Sequence, residues 1–298
     1  MELVEPVSDN ELEHINAMLS DVNVAVSMSM SYIRKIQKWD FNTLESRFDN
    51  ISLTTWKKYL QPSYLKMRPL HMVAAFSWLT MVPMPSFYRG LKIRESYRGM
   101  DEESVEAMIH CGILPKKQYR LLLDFLYEYL SPSQKNEANL LIQSIREKYG
   151  SLEDYDDNDF LFPKSICINK FAEDYYRSVA LAFYNFRKTN SLSIETIAKI
   201  LNLSTYRYKQ CENPENPVPL PVDIAARLKL GFKLTDAMPF TSSMATYPQF
   251  HTMRKVQHIR ETKLVALMKH LEQSHKKHFV GILSNMANLH STQIRMIR

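Results

Sequence analysis

Glycine is scarce in this chain, six residues in 298, none beside another. The sequence has no G-x-x-x-x-G-K-[ST] loop and no G-x-G-x-x-G turn, the two devices in which glycine backbone closes around a nucleotide phosphate. G-x-S-x-G and H-E-x-x-H are missing too, and no Ser, His, Asp arrangement stands out. No enzyme activity and no cofactor is therefore expected. Cysteine is as sparse: Cys111, Cys167 and Cys211 are odd in number and far apart, without metal-ligand spacing. That excludes a disulfide scaffold and fits a reducing compartment with idle thiols. No stretch approaches the roughly twenty apolar residues of a membrane helix, and no basic start leads into an apolar core. The expectation is a cytoplasmic protein with no membrane partner.

What the chain does have is helical periodicity along nearly its whole length. Hydrophobic residues make up 45% and aromatics 11%, enough for real cores, and strict alternation of the strand type is rare. The class is all-α. Helices are expected over about 8–19, 28–38, 70–82, 101–111, 116–130, 133–149, 173–188 and 222–230, with two more between 249 and 290. Gly231 stands where a helix C-cap would. Residues 151–160, SLEDYDDNDF, read as an acidic surface linker, since the EF-hand spacing and its glycine are missing. Of the tail histidines only His275 and His278 share a helix face, and no carboxylate or thiolate nearby completes a ligand set, so no metal is expected.

One stretch carries more information than the rest: Ser191 to Pro221, SLSIETIAKILNLSTYRYKQCENPENPVPLP. Ser193 is a good N-cap, Glu195 suits the first turn, and Ile194, Ile197, Ala198 and Leu201 recur at helical spacing. Asn202 tolerates the positive φ of a tight turn. Ser204 caps a second helix to about Cys211, with Tyr208 inward and Thr205, Tyr206, Arg207 and Lys209 outward. The run from Ser193 to Ser204, followed by Tyr208 and Glu212, resembles the helix-turn-helix of the Cro and CI repressor (XRE) family. Asn202 and Ile194 depart from that family's usual Gly and Gln. The resemblance implies a lambda-repressor-like fold, double-stranded DNA as partner, a bacterial or phage-type transcription regulator, and homodimerisation.

A second, drifted copy is expected 150 residues upstream. At that offset Thr43 falls on Ser193, Leu53 on Leu203, Thr54 on Ser204, Thr55 on Thr205, Trp56 on Tyr206, Lys57 on Arg207, and Pro69-Leu70 on Pro219-Leu220. Arg47, Phe48 and Pro62 depart from the pattern. Net charge alternates along the chain: −6 over residues 1–30, +8 over 31–98, −7 over 99–160, +4 over 161–240 and +7 over 241–298. Basic segments thus coincide with both copies and the tail, as phosphate-facing surfaces require.

The domain expectation is an acidic segment (1–27), a first, diverged helix-turn-helix module (28–100), a helical connector with acidic linker (101–160), a second module (161–240) and a basic C-terminal helical extension (241–298). The acidic segment should pack on the body or a partner chain, and the tail's basic face should dock on phosphates or another subunit. Base readers would be Thr205, Tyr206, Arg207 and Lys209 in the second module and Thr55, Trp56, Lys57 and Tyr59 in the first. Ser193 and Ser204 would offer backbone amides to phosphates. Arg94 and Arg98, in a basic stretch with aromatics (86–100), are candidates for an arm on the DNA backbone or minor groove. An apolar stripe from Leu121 to Tyr129 is expected either to join the modules or to form a dimer surface. The rival function is a protein-interaction scaffold or an antitoxin-like inhibitor.

Overall fold

The computed structural model describes residues 4–88, 101–234 and 237–297. Arg94 and Arg98 lie outside the described residues. Fourteen α-helices account for most of the described chain, and the class is all-α. In order these are α1 (Asp9–Met18), α2 (Val22–Ile36), α3 (Phe41–Arg47), α4 (Leu53–Leu60) and α5 (Leu70–Thr80). Next come α6 (Glu102–Cys111), α7 (Lys116–Glu128), α8 (Pro132–Tyr149), α9 (Ile168–Thr189), α10 (Ile194–Ile200), α11 (Thr205–Cys211) and α12 (Asp223–Gly231). The last two are α13 (Pro248–Met268) and α14 (Gln273–Ile297). Two strands of two residues, β1 (Phe48–Asp49) and β2 (Ile166–Cys167), pair in parallel.

Backbone conformation reveals an internal correspondence more sharply than residue types do. Among the described residues, six non-glycine residues have positive φ, and they fall into three pairs: Lys38 (54°) with Ser191 (53°), Asn50 (64°) with Asn202 (55°), and Met81 (57°) with Lys233 (49°). The left-handed region costs an L-residue about 1–2 kcal/mol, so six such residues at corresponding points are not expected by accident. Each sits just beyond a helix or in the turn between two. The helix caps agree: Asp40 with Ser193 and Ser52 with Ser204, each accepting from the amide three residues on. The offset is therefore 153 before the turn and 152 after it, not 150. The first copy carries one extra residue in its turn, where β1 pairs with β2 at Phe48–Ile166 and Asp49–Cys167.

The two stretches meet at residues that themselves correspond under this offset. Pro69 and Pro221 form an antiparallel bridge. Leu70 N donates to Leu220 O (2.8 Å) and Val222 N donates to Arg68 O (3.1 Å). A shift of 152 exchanges these two bonds, which is the relation of a local twofold axis between the prolines. Around this point α5 is buried on every side and packs against α9 and α12. Gly231 is part of α12 rather than its cap. Its role is close approach, because a Cβ there would stand 2.3 Å from Ile200 Cγ2 of α10.

The rest of the chain is built into the same body. Helix α1 lies on α12, held there by Lys233–Glu11 (2.9 Å) and Val7 N to Gly231 O (2.9 Å), and is tied to α10 by Lys199–Asp9 (2.7 Å). Helix α13 is a central element, not a peripheral extension: it contacts α6, α7 and α8 and buries residues around most of its circumference. Residues 152–160 are likewise no free linker. Leu152 is buried, and Asp157 accepts from Lys116 N and pairs with Arg260. Among the described residues no helix is long and apolar enough to cross a membrane.

Candidate nucleic-acid interface

Helices α10 and α11 form a tight pair, capped by Ser193 and Ser204, with Asn202 at positive φ in the turn between them. The inner side of α11 is fastened to α9 by a charged cluster. Arg187 Nε and Nη2 donate to Glu212 Oε1 (2.6 Å) and Oε2 (2.8 Å), and the Tyr208 hydroxyl donates to Oε1 (2.6 Å). The Tyr208 ring meets Phe183 edge to face beneath. Burial, and then the bond to Glu212, pushes the Tyr208 hydroxyl far above the usual phenol range. Glu212 is thus a brace for α11, with a two-pronged guanidinium bond that fixes angle as well as distance.

The outer side of α11 presents Thr205, Tyr206 and Lys209, all exposed, Tyr206 at 71%. Arg207 differs from this expectation. It is half-buried, and its guanidinium donates to Gln210 Oε1 (3.0 Å) and to Pro219 O (3.0 Å), pinning the proline-rich exit. Ser193 and Ser204 accept from the amides of Thr196 and Arg207, so those amides are spent within the chain and not free for phosphate.

The first copy corrects the sequence reading in several places. Trp56 is fully buried, 4.5 Å from Phe48 and 5.9 Å from Phe76 between ring centroids, and cannot meet DNA. At the observed offset it corresponds to Tyr208, not Tyr206. Residues two apart on a helix lie on nearly opposite faces, so a two-residue slip exchanges inside for outside. Thr55 is half-buried and its hydroxyl lies 2.9 Å from that of Ser52 within the cap. Tyr59 is half-buried against Tyr64, and its carbonyl accepts from the buried Arg68 (2.9 Å). Lys57 is exposed, above the Phe41 ring (5.2 Å), and corresponds to Lys209. Thr54, which the 150-residue alignment set on the cap Ser204, and Lys58 are exposed beside it and correspond to Tyr206 and Gln210. Aligning buried aromatic on buried aromatic would have found them.

The charge alternation has a partly different meaning from the one expected. Acidic segments largely answer basic ones inside the molecule: Asp157 pairs with Arg260, Asp101 with Lys276, Glu137 with Lys269, and Asp9 with Lys199. Arg260 is buried, donating to Leu114 O (2.8 Å), and His258 is buried beside Glu261 (3.1 Å). The basic tail is therefore not one phosphate-docking face. In the first copy, Lys35, Lys38, Lys57, Lys58 and Lys66 are all exposed.

On α7 and at its C-cap, Leu121, Phe125 and Tyr129 are exposed while Leu122 and Leu126 are buried, so the apolar stripe divides between core and surface. The cysteines are free; burial pushes the Cys111 thiol up to about 12 and Cys211 to about 11. Among the described residues no group of three or more His, Cys, Asp or Glu is placed to hold a metal ion. No family model, curated protein or solved structure matches the chain.

Proposed function

We propose that this chain is a sequence-specific, double-stranded DNA-binding transcription regulator in which α11 and α4 are the two reading helices. The observation that carries the reading is the α10–α11 pair: a capped, tightly turned helix-turn-helix. Its second helix is braced from behind by Arg187, Tyr208 and Glu212 and turns Thr205, Tyr206 and Lys209 to solvent. This is the arrangement a major-groove reader needs, with a rigid back and a polar front. The resemblance of Ser193–Glu212 to the Cro and CI family points the same way.

In the first copy the reading face is Thr54, Lys57 and Lys58. The bonds exchanged across Pro69 and Pro221 are twofold at that point, and we extend that relation to the reading units, so that one chain would present them in opposite orientations. The DNA sequence suited to such a chain is an inverted repeat, met by one chain without homodimerisation. Arg207, committed to Pro219 O, acts here as a strut for the exit from α11. Electrophoretic mobility shift with Lys57→Ala and Lys209→Ala tests this: each should weaken binding and lower the salt slope by about one.

A second reading, a protein-interaction module, is favoured by Tyr206, an exposed aromatic of the kind that anchors protein interfaces. Salt separates the two: DNA affinity should fall steeply with salt, whereas an aromatic-anchored protein contact should change little.

A further inference from the structure

Away from both helix-turn-helix pairs, a recess of about 310 Å³ opens where α7, α8, Leu152–Asp154 and α13 meet. Lys116 and Arg120 reach it from α7, Arg146 from α8 and Lys263 from α13, against two carboxylates, Asp124 and Glu153. Glu153 is only loosely engaged, 3.8 Å from Lys116 Nζ and 3.4 Å from Arg120 Nη2. Among the described residues no side-chain hydrogen bond or ion pair engages the Arg146 guanidinium or the Lys263 ammonium, although Lys263 is half-buried. Burial, with the nearby guanidiniums of Arg146 and Arg120 and against the pull of Glu153, holds the Lys263 ammonium below its ordinary range. Lys116 Nζ also donates to Tyr155 O (2.9 Å), and Arg120 and Arg146 are exposed to water, but the half-buried Lys263 ammonium beside these cations is held at a cost that an anion would relieve.

We propose that this recess binds a phosphate-bearing small molecule. Four cations against two carboxylates leave two positive charges uncompensated, which matches a phosphate monoester dianion. The volume is at the small end of ligand pockets, room for a phosphate and a modest organic part, whose apolar edge Leu123 and Leu152 would cover. A half-buried ammonium in a concave site also suits a free phosphate compound better than the backbone of a duplex. Such a ligand would bridge α7, α8 and α13. The proposal does not depend on whether α4 and α11 touch DNA.

Isothermal titration of the full chain at fixed ionic strength tests it, with inorganic phosphate and ribose 5-phosphate as probes and ribose as the neutral control. Saturable binding of at least one phosphate probe and none of ribose is expected. Lys263→Met, which keeps the alkyl stem, and Arg146→Gln, at an exposed position, should each weaken that binding tenfold or more, with the fold checked by circular dichroism. No saturable phosphate binding, or equal binding by wild type and both variants, overturns the proposal. So does a random DNA duplex that displaces the phosphate probe and loses affinity for both variants, since the recess would then belong to a nucleic-acid surface.

Discussion

Pro69 and Pro221 lie opposite each other in an antiparallel bridge, and the residues on either side, Arg68 with Leu70 and Leu220 with Val222, exchange hydrogen bonds of 2.8 and 3.1 Å. Proline has no amide to donate, so the bridge rests on the neighbours' amides, and each proline fixes its own φ for the extended crossing. At this crossing the two halves are joined through backbone, beside the β1–β2 pairing and the side-chain packing of α5.

The brace behind α11 should dominate the stability of that half. Arg187 and Glu212 are 14% and 9% exposed, and removing one partner leaves a poorly solvated charge. Glu212→Ala should lower unfolding free energy by about 3 kcal/mol, near the range for breaking a buried pair. Urea denaturation checks it, and a loss under 1 kcal/mol would show that water already screens the pair.

Trp56 should matter for folding and not for recognition. It fills the space between Phe48 and Phe76, and Trp56→Ala should cost about 3–5 kcal/mol. Comparing this loss with DNA affinity at a temperature where the variant is still folded separates the roles. A folded Trp56→Ala protein with weakened DNA binding would contradict the assignment.

Gly231→Ala places a methyl group 2.3 Å from Ile200 Cγ2 and should destabilise by about 1–3 kcal/mol, the usual effect of overpacking. Ile200→Ala removes the obstacle. The double variant should therefore be more stable than the sum of the two single losses, and simple additivity in thermal or urea unfolding would show that α10 and α12 do not cross closely there.

His71 makes the junction of the copies sensitive to acid. Its Nδ1 lies 3.0 Å from the Tyr176 hydroxyl, which also donates to Leu220 O, and burial pushes its pKa down to about 4. The unfolded chain binds this proton near pH 6.5 and the folded chain only near 4. Stability is thus full above about 6.5 and falls as pH drops through that window, by roughly 3 kcal/mol in the limit. Urea denaturation between pH 7 and 4 should show a steeper decline for wild type than for His71→Gln. Equal slopes would place the sensitivity elsewhere, with His251, pushed down to about 4 by burial, the next group to test.

Much of this architecture was legible in the sequence, and the errors share one cause. Helical class and the bounds of α6, α7 and α8 follow from apolar spacing and caps, which act locally. The α10–α11 pair was legible because Ser193, Asn202 and Ser204 are backbone-determining residues. The turns and caps upstream correspond to those of α10–α11 in another register than residue types suggest: Thr-Thr-Trp invites pairing with Ser-Thr-Tyr, yet residue type does not say which face of a helix is buried. The turn's extra residue, stabilised by pairing with Ile166 and Cys167, is a long-range effect with no local signal. For the same reason charge runs did not reveal that Asp157 would meet Arg260 or that Asp101 would meet Lys276, since the partners are more than 100 residues apart.

The central claim is that one chain reads DNA with two oppositely directed helices. Selection of bound sequences from a pool of random duplexes, followed by the chain-to-duplex ratio in the retained complex, tests it most directly. The account predicts an enriched inverted repeat occupied by one chain, with enrichment of one half weakened by Lys57→Ala and of the other by Lys209→Ala. A pool that emerges with no preferred sequence would contradict it.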